Sequence, residues 1–202
     1  MPRLEFFFDC SSPWTYLAFH RIEELATEGG ADLIWRPFLV GGVFNTINPS
    51  VYQQRANPTP EKLRYYAKDL ADWARFYNLV IGSPSVFPVN SVSAMRACFV
   101  ALEHERLPAF ARAVFEAYWS HDRDISQADV LGSICRDVGL DEEEVAEKIA
   151  SATYKQKLRD NTEELIERGG FGTPTIFIND GDMYFGNDRL ALVRKALHDA
   201  RS

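Results

Sequence analysis

Apolar runs and helical stripes alternate near the N-terminus in the pattern of a strand–helix–strand unit. Residues 4–9 form a nearly continuous apolar run, which is typical of a strand covered on both faces. Ser12 and Pro13 have the residue types of a helix N-cap and a first helical position, and Gly29-Gly30 follows the apolar stripe that they open. Residues 32–38 predict a second strand. We therefore expect a right-handed βαβ unit with parallel strands.

Helical periodicity dominates the centre of the chain. Residues 41–60 are rich in Asn, Pro and Gln, and they predict a long irregular loop. After this loop the apolar positions recur at helical spacing in five segments. The predicted helices are 60–78, 91–104, 108–120, 126–138 and 141–168.

Strand signals return near the C-terminus. Residues 175–178 predict a short strand, residues 179–182 a turn, and residues 183–186 the second strand of a hairpin. Asn187 and Asp188 have the residue types that cap a final helix. The predicted order is therefore βαβ, a helical block and then ββα, which makes the fold class α/β.

This order also divides the chain into two parts. We assign residues 1–40 and 170–202 to one domain and residues 41–169 to a helical insertion domain. A chain of 202 residues with 46% hydrophobic residues is long enough and apolar enough to bury a full core.

Charge and hydropathy exclude some classes of partner. The formal net charge of −7 disfavours binding to a phosphate backbone, so we expect no nucleic-acid partner. No apolar run approaches the roughly 18 residues that span a bilayer, and the N-terminal residues lack the apolar core of a signal peptide. We expect no membrane partner and a cytoplasmic location.

The cysteines and histidines are few and scattered. Cys10, Cys98 and Cys135 show no disulfide spacing, and the four histidines lie far apart. We therefore predict no metal site, since zinc needs several converging ligands. For Cys10 we favour a packing role at the end of the first strand.

Two short motifs carry the candidate chemistry. Ser12 lies where a helix N-terminus presents unpaired N–H groups and a partial positive charge, so its hydroxyl either faces a bound anion or only caps the helix. Thr173-Pro174 directly precedes a strand, and local sequence favours a trans peptide bond there. A cis bond would instead leave the backbone of Thr173 available to an extended ligand.

Together these features resemble the thioredoxin superfamily, and the large helical insertion resembles its DsbA-like branch. The resemblance implies a thioredoxin-like βαβ…ββα fold with an all-helical insertion and with a cis proline, Pro174, before the ββα unit. Ser12-Pro13-Trp14-Thr15 stands at the place of that branch's Cys-Pro-x-Cys. Dithiol exchange needs two sulfurs, so this motif cannot support it.

The all-hydroxyl motif resembles a narrower group, which contains the kappa-class glutathione transferases and the bacterial 2-hydroxychromene-2-carboxylate isomerases. The likeness runs along nearly the whole chain. The matching stretches are Phe8-Asp9-x-x-Ser12-Pro13-x-x-Tyr16-Leu17, Arg36-Pro37-Phe38-Leu39-x-Gly41-Gly42, Ser93-Ala94-Met95-Arg96, Trp119-x-x-x-x-Asp124-Ile125, Phe171-Gly172-Thr173-Pro174 and Phe185-Gly186-Asn187-Asp188-Arg189-Leu190.

This resemblance implies glutathione as the cofactor. Ser12 matches the serine that holds the glutathione sulfur. A hydroxyl without an adjacent base is a poor nucleophile, but it can donate a hydrogen bond to a thiolate. Thr173 and Pro174 would bind the cysteinyl part. Asn187 and Asp188 would bind the γ-glutamyl end, unless they serve only as helix caps.

The second substrate implied by the family is a small aromatic carboxylate. Lys62 matches a family lysine that could hold a carboxylate, although it could equally be an exposed helix charge. Asn48 is a weaker match, because the length of the loop around it differs from the kappa pattern. Phe44 and Trp73 are candidates for an apolar wall. The resemblance also implies a homodimer.

The function that this resemblance predicts is glutathione-dependent isomerisation of a hydroxychromene carboxylate to a hydroxybenzylidenepyruvate. Three alternatives stay open. A kappa-class-like transferase would use the same glutathione site, and a thiol-disulfide oxidoreductase would act through Cys10. A non-enzymatic binding module would keep only the fold.

Overall fold

The core of the protein is a four-stranded mixed sheet with the strand order β2-β1-β3-β4. This computed structural model describes residues 1–179 and 181–200, without the side chains of residues 54–56. The first two strands pair in parallel and the other pairs are antiparallel. The strands are β1 (Arg3–Phe8), β2 (Asp32–Pro37), β3 (Thr175–Ile178) and β4 (Asp182–Phe185).

The central strand β1 is covered on both faces, which explains its unbroken apolar sequence. Phe6 and Phe8 point to one face and pack against Trp35, whereas Phe7 points to the other and packs against Phe38 and Phe177. Because successive side chains of a strand alternate between faces, three consecutive phenylalanines supply both layers of the core. The predicted strand, its burial and its parallel partner are confirmed.

The first helix, α1 (Pro13–Gly29), begins and ends where the sequence predicts. The Ser12 side chain accepts a hydrogen bond from the Thr15 backbone N–H, and Pro13 occupies the first helical position. At the other end Gly30 adopts a left-handed φ of 55° and donates its N–H to the last turn. Glycine reaches this conformation without steric cost, so Gly30 ends the helix.

Helices cover the sheet and form the insertion between β2 and β3. The helix Leu107–Phe115 runs into a π-helical turn, Glu116–Ser120, and a 3-10 turn, Asn187–Arg189, precedes the last helix. The further α-helices are α2 (Val40–Thr46), α3 (Ser50–Ala56), α4 (Pro60–Phe76), α5 (Val92–Glu103), α6 (Leu107–Phe115), α7 (Ala128–Asp137), α8 (Glu142–Ala150), α9 (Ala152–Glu167) and α10 (Leu190–Asp199).

The predicted irregular loop at residues 41–60 is wrong, because α2 and α3 lie there. Tertiary partners support the start of α2: the Val40 N–H donates to Asp9 Oδ2 at 2.9 Å, and the Leu39 N–H donates to Thr162 Oγ1 at 3.1 Å. A short helix is marginal on its own in water, so these distant acceptors help to decide its formation. They leave no signal in the local sequence.

Two other boundaries differ from the prediction. The segment 141–168 is two helices rather than one, because Ser151 has extended backbone angles between α8 and α9. The predicted capping of the last helix by Asn187 and Asp188 is also wrong. These residues form the 3-10 turn, and α10 starts after Arg189 without a side-chain cap.

No helix in the described ranges combines the length and the apolar character that crossing a bilayer requires.

Candidate functional site

Ser12 lies at the turn between β1 and α1, with its hydroxyl at the N-terminus of the helix. Its Oγ accepts the Thr15 N–H at 3.3 Å, which satisfies one of the unpaired donors of the first turn. A hydroxyl has two acceptor lone pairs and one O–H, so capping leaves the O–H of Ser12 able to donate to a ligand. The two roles considered for Ser12, cap and anion donor, are therefore compatible.

The electrostatic surroundings of this turn favour an anion. The first turn of α1 is Pro13-Trp14-Thr15-Tyr16, which carries no acidic residue. The partial positive charge of the helix end is therefore not neutralised from within α1. A thiolate or a carboxylate placed against this end would be stabilised.

A hydrogen bond joins α1 to the loop before β3. The hydroxyl oxygens of Thr15 and Thr173 are 2.8 Å apart and buried. The Thr173–Pro174 peptide bond is cis, so the local preference for trans was wrong. The β1–β3 ladder begins only at Thr175, and the backbone N–H and C=O of Thr173 therefore lie outside it.

A second hydrogen bond joins this loop to the 3-10 turn. The Gly186 N–H donates to the Pro174 carbonyl at 3.0 Å. Gly186 has a φ of 104°, and a Cβ added to it would lie 2.6 Å from Asp188 Oδ1. The positive φ favours glycine at this position, and a side chain there would also push the Asp188 carboxylate away.

Asn187 and Asp188 differ in their surroundings. Asn187 is 4% exposed, and its amide nitrogen Nδ2 has no hydrogen-bond partner in the part of the chain that the structure describes. Asp188 is exposed and forms an ion pair with Arg189. A buried donor without a partner costs free energy, so the Asn187 amide is suited to pair with a ligand acceptor.

Cys10 is fully buried two residues before Ser12. Its N–H donates to Met95 Sδ, and its carbonyl accepts the Trp119 indole N–H at 2.9 Å. Burial raises the pKa of the Cys10 thiol well above its ordinary value, and the neighbouring Cys98 thiol raises it further. A buried, protonated thiol is a poor nucleophile. The predicted packing role of Cys10 is confirmed.

Exposed aromatic side chains contact Trp14 of the first turn of α1 and Trp119, which binds the Cys10 carbonyl. Trp14 packs edge-on against Tyr66 of α4, and Tyr66 is 60% exposed. Phe87 is 55% exposed and contacts Trp119, whose indole binds the Cys10 carbonyl. Large apolar groups that stay exposed beside a polar turn are typical of a site that binds an apolar ligand.

The residues predicted to bind the second substrate differ in their exposure to solvent. Lys62 is exposed in the first turn of α4, and Asn48 lies between α2 and α3 with its Oδ1 accepting the Ser50 hydroxyl at 3.0 Å. Trp73 is partly exposed and packs against Phe76 and Tyr77. Phe44 is a core residue that is 8% exposed, so an apolar wall has to come from other side chains.

Sequence reasoning assigned no role to Asp9 or Thr15. Asp9 is fully buried and accepts hydrogen bonds from the Ser11 and Val40 N–H groups. Asp9 is a charged residue at the end of an apolar strand, just before a helix cap, and this position could have indicated a structural role for it. Thr15 stands at the place of the second cysteine in Cys-Pro-x-Cys, but nothing in the sequence indicated its hydrogen bond with Thr173.

The fold and the site together define a thioredoxin-fold protein that has hydroxyls in place of a dithiol. The chain belongs to the family of DsbA-like thioredoxin domains, whose model matches residues 3–198. This membership confirms the resemblance and the fold class predicted from the sequence.

Curated relatives match over nearly the full length. The 2-hydroxychromene-2-carboxylate isomerase of Sphingobium xenophagum is 27% identical over 97% of this chain and 98% of its own. The human glutathione S-transferase kappa 1 is 30% identical over 98% of this chain and 92% of its own. A solved structure of a 2-hydroxychromene-2-carboxylate isomerase superposes with a TM-score of 0.82 at 25% identity, covering 98% of this chain and 95% of that one.

Proposed function

We propose that this protein is a glutathione-dependent isomerase that interconverts an aromatic hydroxychromene carboxylate and a hydroxybenzylidenepyruvate, with Ser12 holding the glutathione sulfur. The observation that carries the proposal is the placement of the Ser12 hydroxyl at a helix N-terminus, where its O–H is not used by the cap. The isomerase and the transferase among the relatives support the enzyme class.

The residues around Ser12 fit glutathione. The buried Asn187 amide needs an acceptor, which the γ-glutamyl carboxylate would provide, and Asp188 would pair with the γ-glutamyl ammonium. The backbone of Thr173, beside Pro174, would pair with the cysteinyl part. The hydrogen bond between the Thr15 and Thr173 hydroxyls and the bond from the Gly186 N–H to the Pro174 carbonyl hold these three segments together.

When bound, glutathione would supply a thiolate that adds to one carbon of a conjugated C=C bond of the substrate, so that this bond becomes single and can rotate before the thiolate leaves and the double bond forms again. The Ser12 O–H would donate to the sulfur, and the N-terminus of α1 would add its partial positive charge. Both effects lower the pKa of the ligand's thiol. Neither requires a cysteine of this chain.

The second substrate would lie against exposed aromatic groups. Tyr66, which packs against Trp14, and Phe87, which packs against Trp119, would offer apolar surface for an aromatic ring. Lys62 would pair with the substrate carboxylate, and Asn48 would donate a hydrogen bond from its amide. The proposal includes a homodimer and a cytoplasmic location, which gel filtration with light scattering and cell fractionation would test.

A kappa-class-like transferase is the second candidate, supported by the 30% identity to the human protein. Both reactions begin with the same thiolate, so the fate of glutathione separates them. An isomerase leaves the concentration of glutathione unchanged as substrate is consumed, whereas a transferase consumes the two in equal amounts. An oxidoreductase acting through Cys10 is disfavoured by the burial and the raised pKa of that thiol.

The test of the proposal is Ser12→Ala. We expect the thiolate absorbance of bound glutathione to fall, because the sulfur loses the hydrogen bond from Ser12. The value of kcat/KM should drop by about a hundredfold, which is typical when a hydrogen-bond donor to a developing charge is removed. Removing the cap should also cost about 1 kcal/mol of stability.

Asp141→Ala is the matched control, because Asp141 caps α8 through the Glu143 and Glu144 N–H groups. It should cost similar stability and leave activity unchanged. Full activity in Ser12→Ala would refute the proposal. Calorimetry that detects no glutathione binding to the unmutated protein would instead favour a module without this activity.

A further inference from the structure

We propose that Asp9 is a positioning residue that fixes the position of the Ser12 turn relative to the start of α2. The inference rests on the proposed function of Ser12. Asp9 is fully buried at the end of β1, and the activity described above does not require its carboxylate to touch a ligand.

Asp9 is bonded to the serine turn at two points. The Ser11 N–H donates to Asp9 Oδ1 at 2.9 Å, and the Ser12 N–H donates to the Asp9 carbonyl at 3.3 Å. The N–H groups of two successive peptides, Cys10–Ser11 and Ser11–Ser12, therefore both donate to one residue. A rotation that moved the Ser12 hydroxyl would have to break or stretch these bonds.

The same carboxylate is also bonded to a segment outside the turn. Its other oxygen, Oδ2, accepts the Val40 N–H at 2.9 Å, at the start of α2. The polar side chain of Ser91, which directly precedes α5, acts to lower the pKa of Asp9. One side chain thus connects the turn with a segment 31 residues further along the chain.

The sign of the charge on Asp9 indicates that this residue would support the thiolate by positioning Ser12 and not by electrostatic attraction. Burial raises its pKa, and the hydrogen bonds from Ser11, Val40 and Ser91 oppose this rise. A buried negative charge near the turn would also repel a thiolate held by Ser12. If Asp9 acted by its charge, removing the charge would help the thiolate form. If it acts by position, removing an acceptor oxygen should hinder the thiolate.

Asp9→Asn separates these two roles, because the amide keeps the shape but replaces one acceptor oxygen with a donor. We expect the thiolate absorbance of bound glutathione to fall and kcat to drop by about tenfold, since small displacements of a reacting group are costly. The KM for glutathione should change less than twofold. A rise in thiolate absorbance would overturn the inference.

A double-mutant cycle with Ser12→Ala tests whether Asp9 acts through Ser12. In the Ser12→Ala background, Asp9→Asn should have no further effect on the thiolate or on kcat. If the two effects multiply, Asp9 acts independently of Ser12 and the inference fails while the proposed function stands. If Ser12→Ala itself leaves the thiolate unchanged, the proposed function fails as well.

Thr162→Val is the matched control for damage to α2. Thr162 is buried and its hydroxyl accepts the Leu39 N–H, one residue before the N–H that Asp9 holds. We expect lower stability and an unchanged thiolate in this variant. An equal loss of thiolate in Thr162→Val would show that Asp9 acts only by supporting α2, which overturns the inference.

Should Asp9→Asn fail to fold, Ser91→Ala removes one donor and keeps the carboxylate. It should lower the thiolate absorbance and kcat in the same direction but by a smaller factor. An unchanged thiolate in a folded Ser91→Ala protein would then count against the inference.

Discussion

The hydroxyl oxygens of Thr15 and Thr173 lie 2.8 Å apart although the two residues are 158 positions apart in the chain. Both side chains are buried. The hydrogen bond connects the first turn of α1 with the loop that enters β3, so it sets the separation of two of the three segments that form the candidate site.

Thr15→Val should lower the free energy of unfolding by about 1–3 kcal/mol, because it leaves the Thr173 hydroxyl buried without its partner. Chemical denaturation would measure the change. The double variant Thr15→Val with Thr173→Val should be closer to the unmutated protein than either single variant, since neither apolar side chain then needs a hydrogen bond. Additive losses would show that the two hydroxyls are not coupled.

Gly186→Ala should weaken glutathione binding. The φ of 104° is strained for any residue with a Cβ, which costs about 1–3 kcal/mol, and the new methyl group would displace the Asp188 carboxylate. Calorimetry with glutathione would measure the affinity.

Gly181→Ala is the matched control in the preceding hairpin turn, where an added Cβ has no neighbouring atom within 4 Å. We expect unchanged affinity in this variant. Equal affinities in the Gly186 and Gly181 variants would contradict a role for the 3-10 turn in binding.

Cys10 should resist thiol reagents while the protein is folded. Its pKa is raised by burial and by the Cys98 thiol, so it stays protonated at neutral pH, and reagents cannot reach it. Mass spectrometry after labelling should detect modification of Cys10 only under denaturing conditions. The protein should also fail to reduce insulin. Rapid labelling of Cys10 in the native state would revive the oxidoreductase alternative.

Glu5 should stabilise the fold in a pH-dependent way. This buried carboxylate pairs with Arg36 at 2.7 Å and with Arg168 at 2.9 Å, and Arg168 also stacks over Phe177. Burial by itself raises the pKa of Glu5, but the hydrogen bonds from the two arginines outweigh burial and lower it below 4.5.

A carboxyl group whose pKa is lower in the folded state contributes stability above its unfolded pKa and loses it as the pH falls through its folded pKa. At neutral pH, Glu5→Gln should therefore cost about 2 kcal/mol, because the two arginines lose their charged hydrogen bonds to Glu5 and keep only Glu164 as a carboxylate partner. This cost should shrink as the pH falls below the unfolded pKa. Glu61→Gln, which breaks the exposed pair with Arg64, should cost less than about 1 kcal/mol at any pH.

The elements around β1 and α1 could be predicted because their signals are local. The apolar run of β1 needs two covered faces, and Ser12, Pro13 and Gly30 act on the backbone beside them. The ordered motifs also indicated the family. Three segments that carry predicted site residues do meet in the fold, and these residues are Ser12, Thr173, Pro174, Asn187 and Asp188. Their roles in binding stay predictions, and so does the division of the chain into two domains.

What the sequence by itself determined was the set of strands and helices whose ends are encoded by neighbouring residues, together with the absence of a dithiol at the start of α1. Tertiary structure alone decided the helices within 41–60, the break at Ser151 and the position of Asp9. The physical reason is that a backbone N–H or a buried carboxylate must be satisfied by whichever partner packing brings to it. That partner often lies more than a hundred residues away, as Thr162 does for Leu39.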